Sequence, residues 1–159
     1  MVRAFCGILI IFIAIVATGF PRVEADPPGV PENWVKTEVP GAFSFYAPTG
    51  IKPISARGTT IDSGVFEGPT MTVMYIQIGG MTPRERRGES CAFENFEVDG
   101  RQGRLSQCLP TDRPANGASV TWEWIDHDTG LGWQFGGWCQ NPDDAQILRG
   151  IVRSLRFQS

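Results

Sequence analysis

Most residue patterns that support enzyme chemistry are missing from this sequence of 159 residues. It contains one histidine, and it has no Gly-x-Ser-x-Gly motif, no Cys-x-x-Cys pair and no glycine-rich phosphate-binding loop. Serine hydrolases, dithiol redox proteins, zinc ribbons and P-loop nucleotidases each depend on one of these patterns. We therefore predict no catalytic residue, no metal site and no cofactor.

The chain also lacks an excess of basic residues. Its 14 Lys and Arg residues are outnumbered by 17 Asp and Glu residues, which gives a formal net charge of −3 at pH 7. A protein dedicated to nucleic acid needs a basic stripe that contacts phosphates. The mild acidity therefore argues against a nucleic-acid partner.

Long apolar runs are absent except at the N-terminus. Arg3 precedes an almost unbroken apolar stretch over residues 4–20, Pro21 would end a helix, and Ala25 closes a Val-Glu-Ala cleavage site. The run is short for a membrane span. We expect a cleaved signal peptide over residues 1–25 and a bacterial periplasmic or secreted protein. An uncleaved segment that anchors the same domain in a membrane is the alternative.

The rest of the chain reads as one domain, over residues 42–159, behind a proline-rich extended lead-in over residues 26–41. The pattern predicts a strand in FSFYAP, a short strand around Val65 and a long strand from Met71 to Ile78. That long strand is apolar on both faces: Met71, Val73 and Tyr75 on one, and Met74, Ile76 and Ile78 on the other. We therefore expect it to be central and covered on both sides.

Asp99 and Gly100 are the strongest hairpin signal in the sequence. Glycine accepts the positive φ of a type I′ turn, so the flanking residues are predicted to pair. Counting outward from the turn places Cys91 opposite Cys108, in a non-hydrogen-bonded pair with Cα atoms about 4.5 Å apart, within reach of a disulfide. We predict a Cys91–Cys108 disulfide and a free Cys139, with a Cys108–Cys139 bond between neighbouring strands as the alternative.

A second hairpin is predicted by the apolar pattern of the tryptophan-rich segment that follows. The register that places Trp122 opposite Trp133, and Trp124 opposite Leu131, gives one wholly apolar face. It leaves residues 126–129 in the loop.

The C-terminal segment is predicted to be a helix, with Asn141 as the N-cap and Pro142 at the first helical position. Its apolar residues share one stripe at helical spacing: Ile147, Leu148, Ile151, Val152 and Leu155. A helix this short must dock to be stable. The sequence therefore predicts an α+β fold, an antiparallel and largely meandering sheet of six or seven strands with the C-terminal helix packed on one face.

Two Asp-[Ser/Thr]-Gly tripeptides, at residues 62–64 and 128–130, match the sequence that carries the catalytic carboxylates of aspartic proteases. Such an enzyme needs two carboxylates about 3 Å apart on two similar lobes, whereas this chain is short and has no internal repeat. We interpret both tripeptides as turns. The sequence Asp126-His127-Asp128 is interpreted as a polar hairpin tip rather than a metal site.

Trp122, Trp124 and Trp133 share the apolar face of the second hairpin and are candidates for a ligand-binding platform, since aromatic surfaces bind sugars, peptides and flat ligands. Asp62 is a further ligand-binding candidate. The alternative is that this face lies under the helical stripe as part of the core.

Five segments carry a resemblance to known proteins: FSFYAP, GTTIDSGVFEG, MTVMYIQIGG, VDGRQGRL and NPDDAQILRGIVRSLRF. Their pattern of strands, turns and terminal helix resembles small exported bacterial domains of unknown function. It also resembles, more distantly, the PsbP-type lumenal accessory proteins of photosystem II. The resemblance implies a non-catalytic binding or accessory role.

The sequence thus predicts an exported binding or accessory domain whose partner is an unidentified protein or small ligand. The alternative is an enzyme of unrecognised type that uses Asp62 and the arginines of the polar segment at residues 81–90. An enzyme should bring Asp62 and another titratable group together in a concave pocket. A binding module should instead expose an apolar or aromatic patch.

Overall fold

The computed structural model describes residues 29–54, 63–78, 88–111 and 117–158. Over these residues the chain forms two antiparallel sheets and one α-helix, which confirms the predicted α+β class. The smaller sheet has the order β1-β2-β10 and consists of β1 (Trp34–Val39), β2 (Phe43–Pro48) and β10 (Arg156–Phe157).

The larger sheet has seven strands: β3 (Lys52–Pro53), β4 (Ser63–Glu67), β5 (Met71–Ile78), β6 (Glu89–Val98), β7 (Arg101–Pro110), β8 (Ala118–Ile125) and β9 (Gly132–Cys139). Their spatial order is β3-β4-β5-β9-β8-β7-β6. The chain thus crosses from β5 to the far edge and returns strand by strand until β9 pairs with β5. The predicted meander is interrupted at this crossover.

One face of the larger sheet carries the core, and two elements cover it. The helix α1 (Ala145–Arg153) contacts β8 and β9. The smaller sheet covers the neighbouring strands through the aromatic residues of β2. The Phe43 ring lies 4.9 Å from that of Tyr75 on β5, and the Phe45 ring lies 5.1 Å from that of Phe66 on β4.

The helix begins as the sequence predicts. The side chain of Asn141 accepts a hydrogen bond from the backbone N–H of Asp143 (3.1 Å), and a 3-10 turn at Pro142–Asp144 leads into α1. The buried stripe is Ala145, Leu148, Ile151, Val152 and Leu155, while Ile147 is only partly buried. At the other end the Ser154 hydroxyl accepts a hydrogen bond from the N–H of Tyr46 (2.8 Å), which attaches the end of the helix to β2.

The hairpin β6–β7 has the predicted register. Asp99 and Gly100 both have positive φ, at 50° and 76°, as a type I′ turn requires. Cys91 pairs with Cys108, and the two are joined by a disulfide with Cα atoms 4.1 Å apart. Cys139 is a buried free thiol that contacts the carbonyl oxygen of Ala118 at 3.4 Å, and burial raises its pKa. The alternative pairing with Cys139 is therefore wrong.

The register predicted for β8–β9 is wrong by two residues. Trp122 lies opposite Phe135 and Trp124 lies opposite Trp133. A shift of two keeps every side chain on its face, so the apolar pattern does not distinguish the two registers. The loop decides between them, because the N–H of Asp126 donates to the carbonyl of Leu131 (2.8 Å) and encloses residues 127–130, one position later than the predicted loop.

The disulfide should make a large contribution to stability. Replacing both Cys91 and Cys108 with serine is expected to lower the free energy of unfolding by about 3 kcal/mol, because the open chain gains entropy when a crosslink between residues 17 positions apart is lost. Urea unfolding checks this value. A reducing agent should produce the same loss in the parent protein and none in the double variant. Equal stability of the reduced and oxidised parent would contradict the prediction.

Candidate functional site

The second face of the larger sheet is open to solvent. Of the eight large apolar side chains that are exposed among the described residues, five lie on this face: Met74, Ile76, Phe93, Ile125 and Trp138, each 40–47% exposed. The expectation that β5 is covered on both sides is therefore wrong. The physical reason is that α1 and the smaller sheet both pack on the same side, around Val73 and Tyr75.

The open face has small side chains at its centre and larger ones at its sides. One row of cross-strand neighbours runs Met74, Gly136, Thr121, Ser106 and Phe93, over β5, β9, β8, β7 and β6. Glycine, threonine and serine form a floor, while Met74 and Phe93 rise at the two sides. The result is a groove of about 440 Å³, a volume within the range of small-ligand sites.

The ends of the groove are polar or sulfur-containing. Glu123 and Gln134 face each other across β8 and β9 at one end, and the Gln134 amide donates a hydrogen bond to the Glu123 carboxylate. Glu89 and the Cys91–Cys108 disulfide lie at the other end, beside Trp138. Glu123 is only 8% exposed. The groove therefore combines an apolar rim with two carboxylates.

Arg104 is the cross-strand neighbour of Glu123 on β7, yet its guanidinium turns toward the edge of the sheet. Its Cζ atom lies 4.5 Å from the centre of the Phe93 ring, a cation–π contact. Nε and Nη2 of Arg104 are buried, and no described residue accepts a hydrogen bond from them. Within the described part of the chain Glu123 forms no ion pair with this arginine.

A second, smaller cavity of about 220 Å³ lies between the two sheets, and two of the predicted tryptophans line it. Trp124 is 3% exposed and Trp133 is partly buried. The third, Trp122, is fully buried and stacks on Trp124 with ring centres 4.4 Å apart. Phe157 completes the aromatic wall, so the tryptophan face is covered by the C-terminal part of the chain rather than presented to solvent.

Charged side chains also line this smaller cavity. Arg101 lies 4.0 Å above the Phe157 ring and contacts Asp126 at 3.5 Å. The Asp126 carboxylate accepts hydrogen bonds from the backbone N–H groups of Asp128 (2.9 Å) and Thr129 (3.4 Å). The first of these bonds is the main cause of its lowered pKa.

The Asp-Thr-Gly tripeptide at residues 128–130 forms the tip of the β8–β9 hairpin, where Gly130 has a φ of 69°. This confirms its interpretation as a turn. His127 belongs to the same exposed turn. The other tripeptide begins at Asp62, which lies outside the described residues, as do residues 1–28 and most of the arginine-rich segment.

Potential metal ligands come together at one point in the described ranges, where Glu89 approaches Cys91 and Cys108 within 4.8 Å. The two sulfurs are bonded to each other, so neither offers the thiolate that binds a metal. No helix in the described residues is long and apolar enough to cross a membrane.

Sequence patterns indicate only part of the open face. Alternation along β5 and β9 already places Met74, Ile76 and Trp138 opposite the core side. The described residues contain one α-helix, and it cannot cover both faces of the sheet. No sequence pattern indicates that Glu123 lines a groove, because its position there depends on its neighbours on β7 and β9.

Neither of two comparisons assigns the chain to a known family. No protein-family model matches the sequence. No curated protein matches it at a significant level.

Proposed function

We propose that this protein is a small exported binding or accessory module that holds its partner against the open face of the seven-stranded sheet. The observation that carries the proposal is the set of five exposed apolar side chains on that face. Exposed apolar surface that is contiguous marks sites of interaction, and three of the five, Met74, Ile76 and Trp138, lie side by side on β5 and β9. Alternation along the strands places this set opposite a well-packed core, so the exposure is a property of the fold rather than of a frayed segment.

Export is supported by two features of the chain. The apolar N-terminal run and the cleavage pattern that ends at Ala25 are those of a signal peptide. The Cys91–Cys108 disulfide is typical of proteins in oxidising compartments such as the periplasm or the cell exterior. The resemblance of the sequence to small exported domains and, more distantly, to PsbP-type accessory proteins also supports an accessory role.

Photo-crosslinking in the native cells tests this function. Phe93 and Trp138, each replaced by p-benzoylphenylalanine, present a reactive aromatic group at the two sides of the groove. We expect both variants to form a covalent adduct of the same size. The matched control is Val35 on β1, which is 54% exposed and distant from the groove, and which should form none. Adducts at Val35 alone, or at no position, would contradict the proposal.

A further inference from the structure

The groove on the open face is lined by two carboxylates, and Arg104, the neighbouring cation on β7, lies against Phe93 rather than in the lining. Glu89 and Glu123 line it, and none of its described lining residues is Lys, Arg or His. Charge of one sign in a concave surface attracts ligands of the opposite sign and repels its own. An anionic ligand is therefore disfavoured.

Glu123 is the carboxylate with the most to gain from a cation. A buried charge is costly unless it is paired or fully hydrogen-bonded, and Glu123 is 8% exposed. Gln134 donates to its Oε1 atom, and the guanidinium of Arg104 lies over Phe93 instead of pairing with it. An ammonium or guanidinium group that enters from the groove would form a charge-assisted hydrogen bond with this carboxylate.

The rim of the groove suits apolar neighbours of such a cation. Met74, Phe93 and Trp138 are each more than 40% exposed and face the groove. Burying them against aliphatic or aromatic groups is favourable, at roughly 25 cal/mol for each Å² of apolar surface removed from water. The exposed ring of Trp138 also attracts cations, whereas the ring of Phe93 already contacts the guanidinium of Arg104.

The dimensions of the groove fit a short extended peptide. Its ends are the row of Glu123, Arg104 and Asn95 and the residue Glu89, which lie six residues apart along β6. At about 3.3 Å per residue this is about 20 Å, the length of roughly six extended residues. A stable contact between folded proteins buries about 800 Å² on each partner, which is more than a groove of this size offers. A second copy of the chain would place carboxylate against carboxylate.

We propose, building on the proposed function, that the groove binds a short extended segment of a partner protein that carries lysine or arginine between apolar residues. The basic side chain pairs with Glu123 beside Gln134. The apolar side chains contact Met74, Phe93 and Trp138.

Isothermal titration calorimetry with three capped hexapeptides tests this inference. The peptides alternate leucine with lysine, with serine or with glutamate. We expect the leucine–lysine peptide to bind at least about tenfold more tightly than the other two, and to weaken as salt screens the charges. The Glu123→Gln variant keeps the volume and polarity of the side chain, and it should weaken that peptide by about tenfold.

The matched control is Glu32→Gln, which removes the same charge at an exposed position outside the groove. It should change the affinity less than about twofold, because salt and water screen the charge of an exposed side chain that does not line the groove. Equal losses in the two variants would overturn the inference, since they would show attraction by net charge alone.

Two further results would also overturn it: no binding of the leucine–lysine peptide, or equally tight binding of either other peptide. In these cases crosslinks at Phe93 and Trp138 would still support binding at the open face. If the crosslinks also fail, the proposed function falls as well.

Discussion

Replacement of Trp122 by alanine is expected to lower the free energy of unfolding by about 3–5 kcal/mol. The Trp122 side chain is fully buried, and its ring stacks on Trp124. Its indole N–H donates a hydrogen bond to the carbonyl oxygen of Phe96 (3.0 Å). Truncation therefore leaves a large cavity, and the carbonyl oxygen of Phe96 loses its hydrogen bond from the indole. Unfolding in guanidinium chloride, followed by tryptophan fluorescence and circular dichroism, measures the change.

Trp138→Ala is the matched control, because it removes the same side chain from the opposite face of the sheet. Trp138 is 42% exposed, so its loss should cost less than about 0.5 kcal/mol. Similar stability losses in both variants would contradict the core assignment of Trp122. A fully stable Trp122→Ala protein that no longer binds its partner would restore Trp122 as a ligand-binding residue.

Gly137→Ala is expected to destabilise the protein by about 3 kcal/mol. A Cβ atom at this position would lie 1.9 Å from the carbonyl oxygen of Thr72 and 3.2 Å from Cδ2 of Leu148. The first clash is with the backbone of the paired strand β5, so it is relieved only if β5 and β9 move apart. These strands lie at the centre of the larger sheet. Thermal and urea unfolding of the purified variant test this expectation.

Gly150→Ala provides the comparison. Its Cβ would meet only the outer edge of the Trp34 ring, at 2.8 Å, and that side chain is partly buried and able to shift. Alanine also favours a helix by about 1 kcal/mol relative to glycine. We expect little net change in stability. The steric argument would be wrong if the Gly137→Ala protein were as stable as the Gly150→Ala protein.

The hairpin β6–β7 shows what a sequence can specify by itself. A two-residue turn with Asp99 and Gly100 fixes the register, and the register in turn places Cys91 opposite Cys108. The information is local, because every step follows from residues within one hairpin. The N-cap at Asn141 and the buried stripe of α1 were predictable for the same reason.

Longer-range features were not predictable in this way. The strand β10 consists of Arg156 and Phe157, too few residues for a periodic pattern, and it exists because β2 offers it an edge. The register of β8–β9 depends on loop hydrogen bonds that the apolar alternation does not encode. Likewise, the exposure of Met74 follows from the side on which α1 packs, which the helix sequence leaves undetermined.

The closure of the smaller sheet by β10 also sets the order of events during biosynthesis. The N–H of Gly41 bonds to the side chain of Gln158, 117 positions later in the chain, and Phe157 pairs with Phe43. The strand β2 therefore cannot complete its pairing while the ribosome is still translating the C-terminal region. The polypeptide stays incompletely folded until translation is nearly finished, which would suit the export proposed above, because a secretion pore admits a chain before it acquires its final shape.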